Sequence, residues 1–316
     1  MKSEVYHIPV MRSECLDGLS IKPNGTYVDL TFGGGGHSRA ILEKLGEGGR
    51  LVAFDQDEDA VKVGEEIERM DSRLKMIRGN FRFVTNYLHY LGVEKVDGVL
   101  ADLGVSSHQF DVAERGFTFR ENTELDMRMN REQRITAGWI LEEYDEKRIE
   151  EIFRLYGELR EARGLARAVV RERGKDGIWT SERLRRTVGP FMNSEREKKD
   201  LAKVFQALRI EVNDELGALR DMMEQLPDLL NEGGRLVVMT YHSLEDRLVK
   251  NFIRSGNVSG TITTDFYGKK VSPMMEVNRK VITPSEQEVE KNPRARSAKL
   301  RIGEKIKLQK TLKMNL

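Results

Sequence analysis

An α/β fold, with a doubly wound, mostly parallel sheet, an antiparallel edge and an inserted helical subdomain, is predicted by three features of the 316-residue sequence. Strand-like runs alternate with helical stretches up to Gly104. The next stretch is far longer than one crossover helix requires. After residue 255 the chain changes to short alternating segments joined by turn residues.

In chain order the strand-like runs are TYVDLTF (26–32), RLVAFDQD (50–57), LKMIRGN (74–80), VDGVLADLG (96–104) and RLVVMTYHS (235–243). Between the first two, SRAILEKLGEGG sets Ile41, Leu42 and Leu45 on one helical stripe and ends on glycines that can cap it. DEDAVKVGEEIERM reads as the next helix, with Asp57 or Asp59 as its cap. Between Asp102 and Arg235 lie 132 residues. Residues 114–205 of that stretch lack clear strands, and 145–173 show helical periodicity with charge pairs at helical spacing. The expected division is therefore 1–113 with 206–316 for the sheet domain, and 114–205 for the helical subdomain. DELGALRDMMEQLPDLLNEGG then returns as a helix to the sheet, and TITTDFYGKK, NRKVITP and SAKLRIGEK form the antiparallel edge.

Composition narrows the class. With 39% hydrophobic and 33% charged residues the chain can bury a full core. No apolar run approaches the roughly 20 residues of a membrane-spanning helix. The first residues, MKSEVYHIPVMRSECLDG, carry acids and a proline where a secretory signal needs an apolar run, so a cytoplasmic location is expected. A single cysteine, Cys15, excludes an intrachain disulfide and a cysteine-rich metal site, and no metal is expected. From Arg294 onward eight Lys or Arg face one acid, Glu304, a charge of +7 that leaves −6 on the remainder of a chain with net charge +1. Such an end suits an anionic partner, or else is a solvated tail. Arg183, Arg185 and Arg186 are open to the same two readings.

VDLTFGGGGHS (28–38) runs from a strand into a helix, the context that gives a glycine loop meaning. Gly33 and Gly35 fit a dinucleotide fingerprint, but Ser38 occupies its last position. Asp55, 22 residues beyond Gly33, ends the second strand where a carboxylate can accept from both ribose hydroxyls of an adenosine cofactor, or cap the next helix. Phe81, after the third strand, flanks an adenine in this sheet order or joins the core. Asp102 follows an apolar strand at the switch point, where its carboxylate must face a crevice or be paired. A sulfonium cofactor with an ammonium tail suits that acid; a nicotinamide cofactor does not call for it. Dehydrogenase chemistry keeps one candidate acid, His242, beside Glu245 and Asp246. Methyl transfer to a pyrimidine carbon needs a cysteine nucleophile, and Cys15 lies away from the switch point. Transfer to an exocyclic amine needs only placement and acceptors for the amino hydrogens, which Asp102, Ser106 and Ser107 can supply.

HIPVM (7–11), DLTFGGGGHS (29–38), FDQDEDA (54–60), DGVLADLGVSSHQFD (97–111), ERGFTF (114–119), LDMRM (125–129), FQALRIEVNDEL (205–216), YHSLEDRLVK (241–250) and NPRARSAKLR (292–301) together resemble the bacterial ribosomal RNA small subunit methyltransferase H family. The resemblance implies a class I methyltransferase (Rossmann-like) sheet with a helical insertion. It also implies S-adenosylmethionine as cofactor, and methylation of the exocyclic N(4) amine of a cytidine in the decoding region of 16S ribosomal RNA in the small subunit. A homodimer is part of the same expectation. Carried over by position, it implies cofactor contacts at Gly35, Gly36, His37, Asp55, Phe81, Asp102 and Gln109. His108 stands where the family usually has proline, and Gly34 where a non-glycine is frequent; neither removes a contact. DLGV replaces the D-P-P-Y type loop of other amino-group methyltransferases, so that loop does not identify the aromatic stacked on cytosine. Tyr241 is a candidate for stacking on a flipped base, a core tyrosine being the alternative. His242, Ser243, Asp246 and Arg247 are expected on the substrate side, and Arg294 and Arg296 on RNA phosphate.

Overall fold

The computed structural model describes residues 9–175 and 177–307. The chain divides into one unit of residues 1–104 and 217–316 and a second of residues 105–216.

The first unit contains β1 (Thr26–Asp29), β2 (Arg50–Asp55), β3 (Leu74–Arg78), β4 (Val96–Asp102), β5 (Leu230–Thr240), a two-residue hairpin of β6 (Thr263–Thr264) and β7 (Lys270–Val271), β8 (Met274–Glu276) and β9 (Lys299–Lys305). Seven strands form one sheet in the order β3-β2-β1-β4-β5-β9-β8. The first five are parallel, whereas β9 runs antiparallel to both β5 and β8. The α/β class with an antiparallel edge is thus observed.

Strand periodicity sorts the core into two layers. Val28, Val52, Phe54, Val99, Ala101, Leu236 and Val238 pack in one apolar cluster. Their chain neighbours Tyr27, Leu51, Ala53, Leu100, Val237 and Met239 pack in another. Strands covered on both faces read as continuous apolar runs, which is why these were legible. The helix Glu58–Met70 takes the earlier of its two candidate caps, two residues before the other: Asp57, in extended conformation, accepts from the Asp59 N–H at 3.2 Å. Asp59 already lies inside the helix. An N-terminal helix, Arg12–Leu19, went unpredicted and buries Cys15.

The second unit is helical: Ser107–Asp111, Ala137–Glu143, Glu146–Leu155, Ala162–Glu172, Ser181–Val188 and Glu197–Asn213. Thr136, Asp145 and Thr180 cap three of these by accepting backbone N–H groups. Leu125, Ile140, Phe153, Leu165, Leu184 and Leu208 share its core. The unit is wider than the expected 114–205 for a physical reason. Val105 and Phe110 pack on that core, and the helix Glu197–Asn213 runs past residue 205 to bury Leu208 and Val212.

Several charged residues have internal partners. Arg183 is 6% exposed, lies over the Trp179 ring at 4.4 Å and donates to the carbonyls of Glu172, Lys175 and Gly177, so it is no polyanion contact. Arg185 pairs with Glu197 at 3.0 Å, while Arg186 is exposed. In the basic end Arg301 and Lys299 face Asp246 at 2.7 and 3.3 Å. Lys310 and Lys313 lie outside the described residues, as do His7 and Ile8 of the HIPVM block.

Candidate active site

Three neighbouring parallel strands, β2, β1 and β4, each end on an aspartate: Asp55, Asp29 and Asp102. Register places Asp29 beside Ala53 and Leu100, so the three carboxylates line one edge of the sheet. The chain departs from β1 toward β2 on one side and from β4 toward β5 on the other. That edge is therefore the switch point at which open α/β sheets leave a crevice.

The glycine loop is tied to all three acids. Asp29 is fully buried; its Oδ1 accepts from the Thr31 N–H at 3.1 Å and its Oδ2 from the Ser38 hydroxyl at 2.6 Å. Asp55 accepts from Gly33 N–H at 2.8 Å and from Asp57 N–H at 2.9 Å. The Asp102 backbone N–H donates to Thr31 Oγ1 at 2.7 Å. Gly33 and Gly35 take positive φ of 54° and 77°, and a Cβ on Gly35 would lie 2.6 Å from the Phe32 ring. A Cβ on Gly36 would press on Pro9 at 3.0 Å, whereas one on Gly34 would meet nothing within 4 Å. The loop therefore needs glycine at Gly33 and Gly35 and tolerates a side chain at Gly34.

Around Asp102 a small polar group assembles. The Tyr241 hydroxyl donates to Asp102 Oδ1 at 2.9 Å, and His37 Nε2 lies 3.5 Å from Oδ2, an ion-pair separation too long for a hydrogen bond. His37 is 5% exposed, and neither ring nitrogen has a hydrogen-bond partner. Burial disfavours its charged form, but the Asp102 and Asp29 carboxylates outweigh it and hold the imidazole above its ordinary pKa. Burial, then Asp102, push the Tyr241 phenol far up, so it stays a neutral donor. Burial pushes Asp55 up to about 6, the Asp57 and Asp29 charges adding to it and the two backbone N–H groups opposing it. Asp29 is raised for the same leading reason. Cys15 is fully buried and its thiol is pushed well above the usual range, again chiefly by burial. A thiolate nucleophile is therefore absent from this edge among the described residues.

The other predicted residues fall as follows. Phe81 opens a short 3-10 turn after β3 and packs partly buried against the core. Ser106, Ser107 and Gln109 open the second unit, where Ser106 and Gln109 form a reciprocal capping box and Gln109 is 4% exposed. Tyr241 is turned onto Asp102 and the core, with its backbone N–H on Glu245 Oε2 at 3.0 Å. His242 caps the helix Ser243–Ser255 and lies 3.1 Å from Glu245, which gives it a local structural task. Asp246 is neutralised by Arg301 and Lys299, which hold it below the usual carboxylate range against the opposing effect of burial. These ion pairs pin β9 against the helix that carries Asp246. Arg294 and Arg296 stand exposed on the turn before β9. Asp29, Thr31 and Ser38 were not foreseen. DLT at the end of a strand was the available signal, a third strand-terminal acid beside Asp55 and Asp102.

The edge thus offers a buried imidazole with open nitrogens, three carboxylates met, among the described residues, by N–H, O–H and imidazole groups, and a glycine loop of fixed shape. A cofactor bearing ribose hydroxyls and an ammonium would fit these donors and acceptors. The family match and the sequence relatives point the same way. The MraW methylase family matches residues 4–306. A ribosomal RNA small subunit methyltransferase H of Bacteroides thetaiotaomicron is 55% identical over 95% of this chain and 97% of its own length. One from Porphyromonas gingivalis is 54% identical over 96% of this chain and 98% of its own. A solved rRNA methylase from Streptococcus thermophilus aligns over 94% of each chain, with 13% identity and a TM-score of 0.40. Because the match runs through the glycine loop, all three acids and the whole helical unit, the chain belongs to the MraW methylase family.

Proposed function

We propose that the protein transfers a methyl group from S-adenosylmethionine to the exocyclic N(4) amine of a cytidine in the decoding region of 16S ribosomal RNA, within the small ribosomal subunit. The observation that carries this reading is the row of strand-terminal carboxylates beside the glycine loop, none of them paired with Lys or Arg among the described residues. The cofactor supplies an electrophilic methyl on a positively charged sulfur. Asp55 accepts from its ribose hydroxyls, Phe81 flanks its base, and Gly35, Gly36 and His37 shape the cleft for its amino-acid tail. Gln109 completes the proposed cofactor set.

Asp102 has the chemistry for two tasks. Its carboxylate would offset the ammonium of the tail and accept a hydrogen bond from the target amine, whose lone pair must be aimed along the methyl–sulfur bond. Tyr241 keeps that carboxylate in place. Ser106 and Ser107 are the further candidates for orienting the amine, and Arg294 and Arg296 for holding phosphate. No helix among the described residues is long and apolar enough to cross a membrane, which suits a cytoplasmic enzyme acting on ribosomal subunits. The reading includes a homodimer, which sedimentation would check.

Small subunits from cells lacking this activity, incubated with the pure protein and S-adenosylmethionine and digested to nucleosides, should yield N(4)-methylcytidine by mass spectrometry. Tight binding of subunits with no new methylated nucleoside would replace the enzyme by an RNA-binding assembly factor.

A further inference from the structure

We propose that the β6–β7 hairpin is a second RNA-gripping element, whose two tip aromatics stack on unpaired bases while its lysines hold the adjoining phosphates. This inference rests on the reading of the protein as an enzyme acting on RNA. The hairpin belongs to the first unit and leads into β8, the edge strand of the sheet. Phe266 is 95% exposed and Tyr267 85%, with Ile262 beside them at 49%. Exposed apolar side chains scattered singly need no explanation; two adjacent rings at the end of a projecting turn do.

The rings are held ready rather than left loose. Their centroids lie 5.5 Å apart at an interplanar angle of 86°. The turn beneath them is closed by Asp265 N–H to the Lys269 carbonyl at 2.8 Å and Gly268 N–H to the Asp265 carbonyl at 3.0 Å, with Gly268 at φ 77°. Asp265 Oδ1 accepts from the backbone N–H groups of both Tyr267 and Lys269 at 2.9 Å. The hairpin's one acid is thereby turned into the turn, and Lys269 and Lys270 stand exposed beside the rings. Aromatic faces next to cations are what single-stranded RNA asks for, because every base has a face to stack and every linkage a phosphate to neutralise. A protein partner would be served by the rings but not by two lysines and an inward-turned acid.

The test uses the full chain. Phe266→Ala with Tyr267→Ala should weaken binding to unmethylated small subunits and to their naked 16S RNA by about tenfold per ring, while calorimetry shows cofactor affinity unchanged. Lys269→Ala with Lys270→Ala should lower the slope of log affinity against log salt by about two. Equal RNA affinity in all variants and wild type overturns the proposal. So does a loss confined to subunits and missing on naked RNA, which would make the partner a ribosomal protein. So does a double variant that merely shifts from dimer to monomer, which would make it a second copy of this chain. If wild type itself neither binds nor methylates either RNA, the reading of the function fails, an outcome separate from these.

Discussion

Carboxylates of the helical unit and the strand-terminal carboxylates beside the glycine loop are treated in opposite ways. In the helical unit Asp126 receives a two-pronged grip from Arg128 at 2.7 and 2.8 Å, and Glu215 the same from Arg209 at 2.8 and 2.9 Å. At the sheet edge Asp29, Asp55 and Asp102 are met by backbone amides, hydroxyls and an imidazole. The consequence is visible in sign. Burial raises the pKa of both Asp126 and Asp55, but Arg128 reverses it for Asp126, whereas Asp55 is left at about 6. A cation neutralises an acid that serves the fold. An acid left with weak donors keeps its attraction for a ligand, at a standing cost to stability.

The largest effect that should separate the two classes is at Asp102. Asp102→Ala should lower single-turnover methylation by about 10²–10³ while the protein still folds. Turnover within tenfold of wild type would remove Asp102 from the chemistry. Asp55→Ala comes next, with cofactor affinity reduced about 10- to 100-fold in calorimetry, the worth of hydrogen bonds to a charged group. Its pH dependence sharpens the contrast. Wild-type affinity should fall as pH drops below about 6, where Asp55 takes up a proton. For folding the sign is the reverse. A carboxyl raised from its ordinary value of about 3.9 stabilises the folded state fully below that pH, and loses this contribution as pH rises through about 6. Thermal melts of wild type minus Asp55→Ala should therefore decline across that window, by up to about 3 kcal/mol.

What the sequence disclosed follows the same division. The five parallel strands were legible because burial on both faces leaves continuous apolar runs, and Asp55 and Asp102 because an acid at the end of such a run has no place in a core. Of the expected antiparallel edge only SAKLRIGEK was placed, as β9: TITTDFYGKK forms the separate β6–β7 hairpin, NRKVITP gives a single bridge at Ile282, and the edge strand β8 was not anticipated. Asp29 was hidden because its partners, Thr31 N–H and Ser38, are local and small. The fates of Asp246 and Arg183 were hidden because their partners are distant in sequence or are backbone carbonyls, which no spacing rule reveals. The unit boundaries moved for a similar reason: a helix ends where its packing ends, not where its pattern weakens.

Tyr241 lies between the classes and tests where positioning ends and stacking begins. Tyr241→Phe keeps the ring and removes only the hydroxyl that donates to Asp102. Turnover should fall about tenfold with little change in KM for RNA, the worth of one hydrogen bond to a carboxylate. If Phe is silent and Tyr241→Ala is not, the ring rather than the hydroxyl matters, and stacking on the target base takes over from positioning.

The smallest effect on chemistry belongs to the helical unit. Asp126→Asn leaves the Arg128 guanidinium facing a neutral amide and loses one of two charge-assisted bonds, at a cost to stability of about 1–2 kcal/mol. Methylation and cofactor affinity should stay within twofold of wild type. Because Arg128 holds the Asp126 pKa below its ordinary value, the contribution is present above about pH 4 and fades as pH falls through the depressed value. Urea melts of variant and wild type should therefore converge as the pH is lowered from 5 toward 3. A variant that keeps its stability but loses cofactor would mean that arginine-paired acids also serve the ligand, and the division between the two kinds of carboxylate would fall.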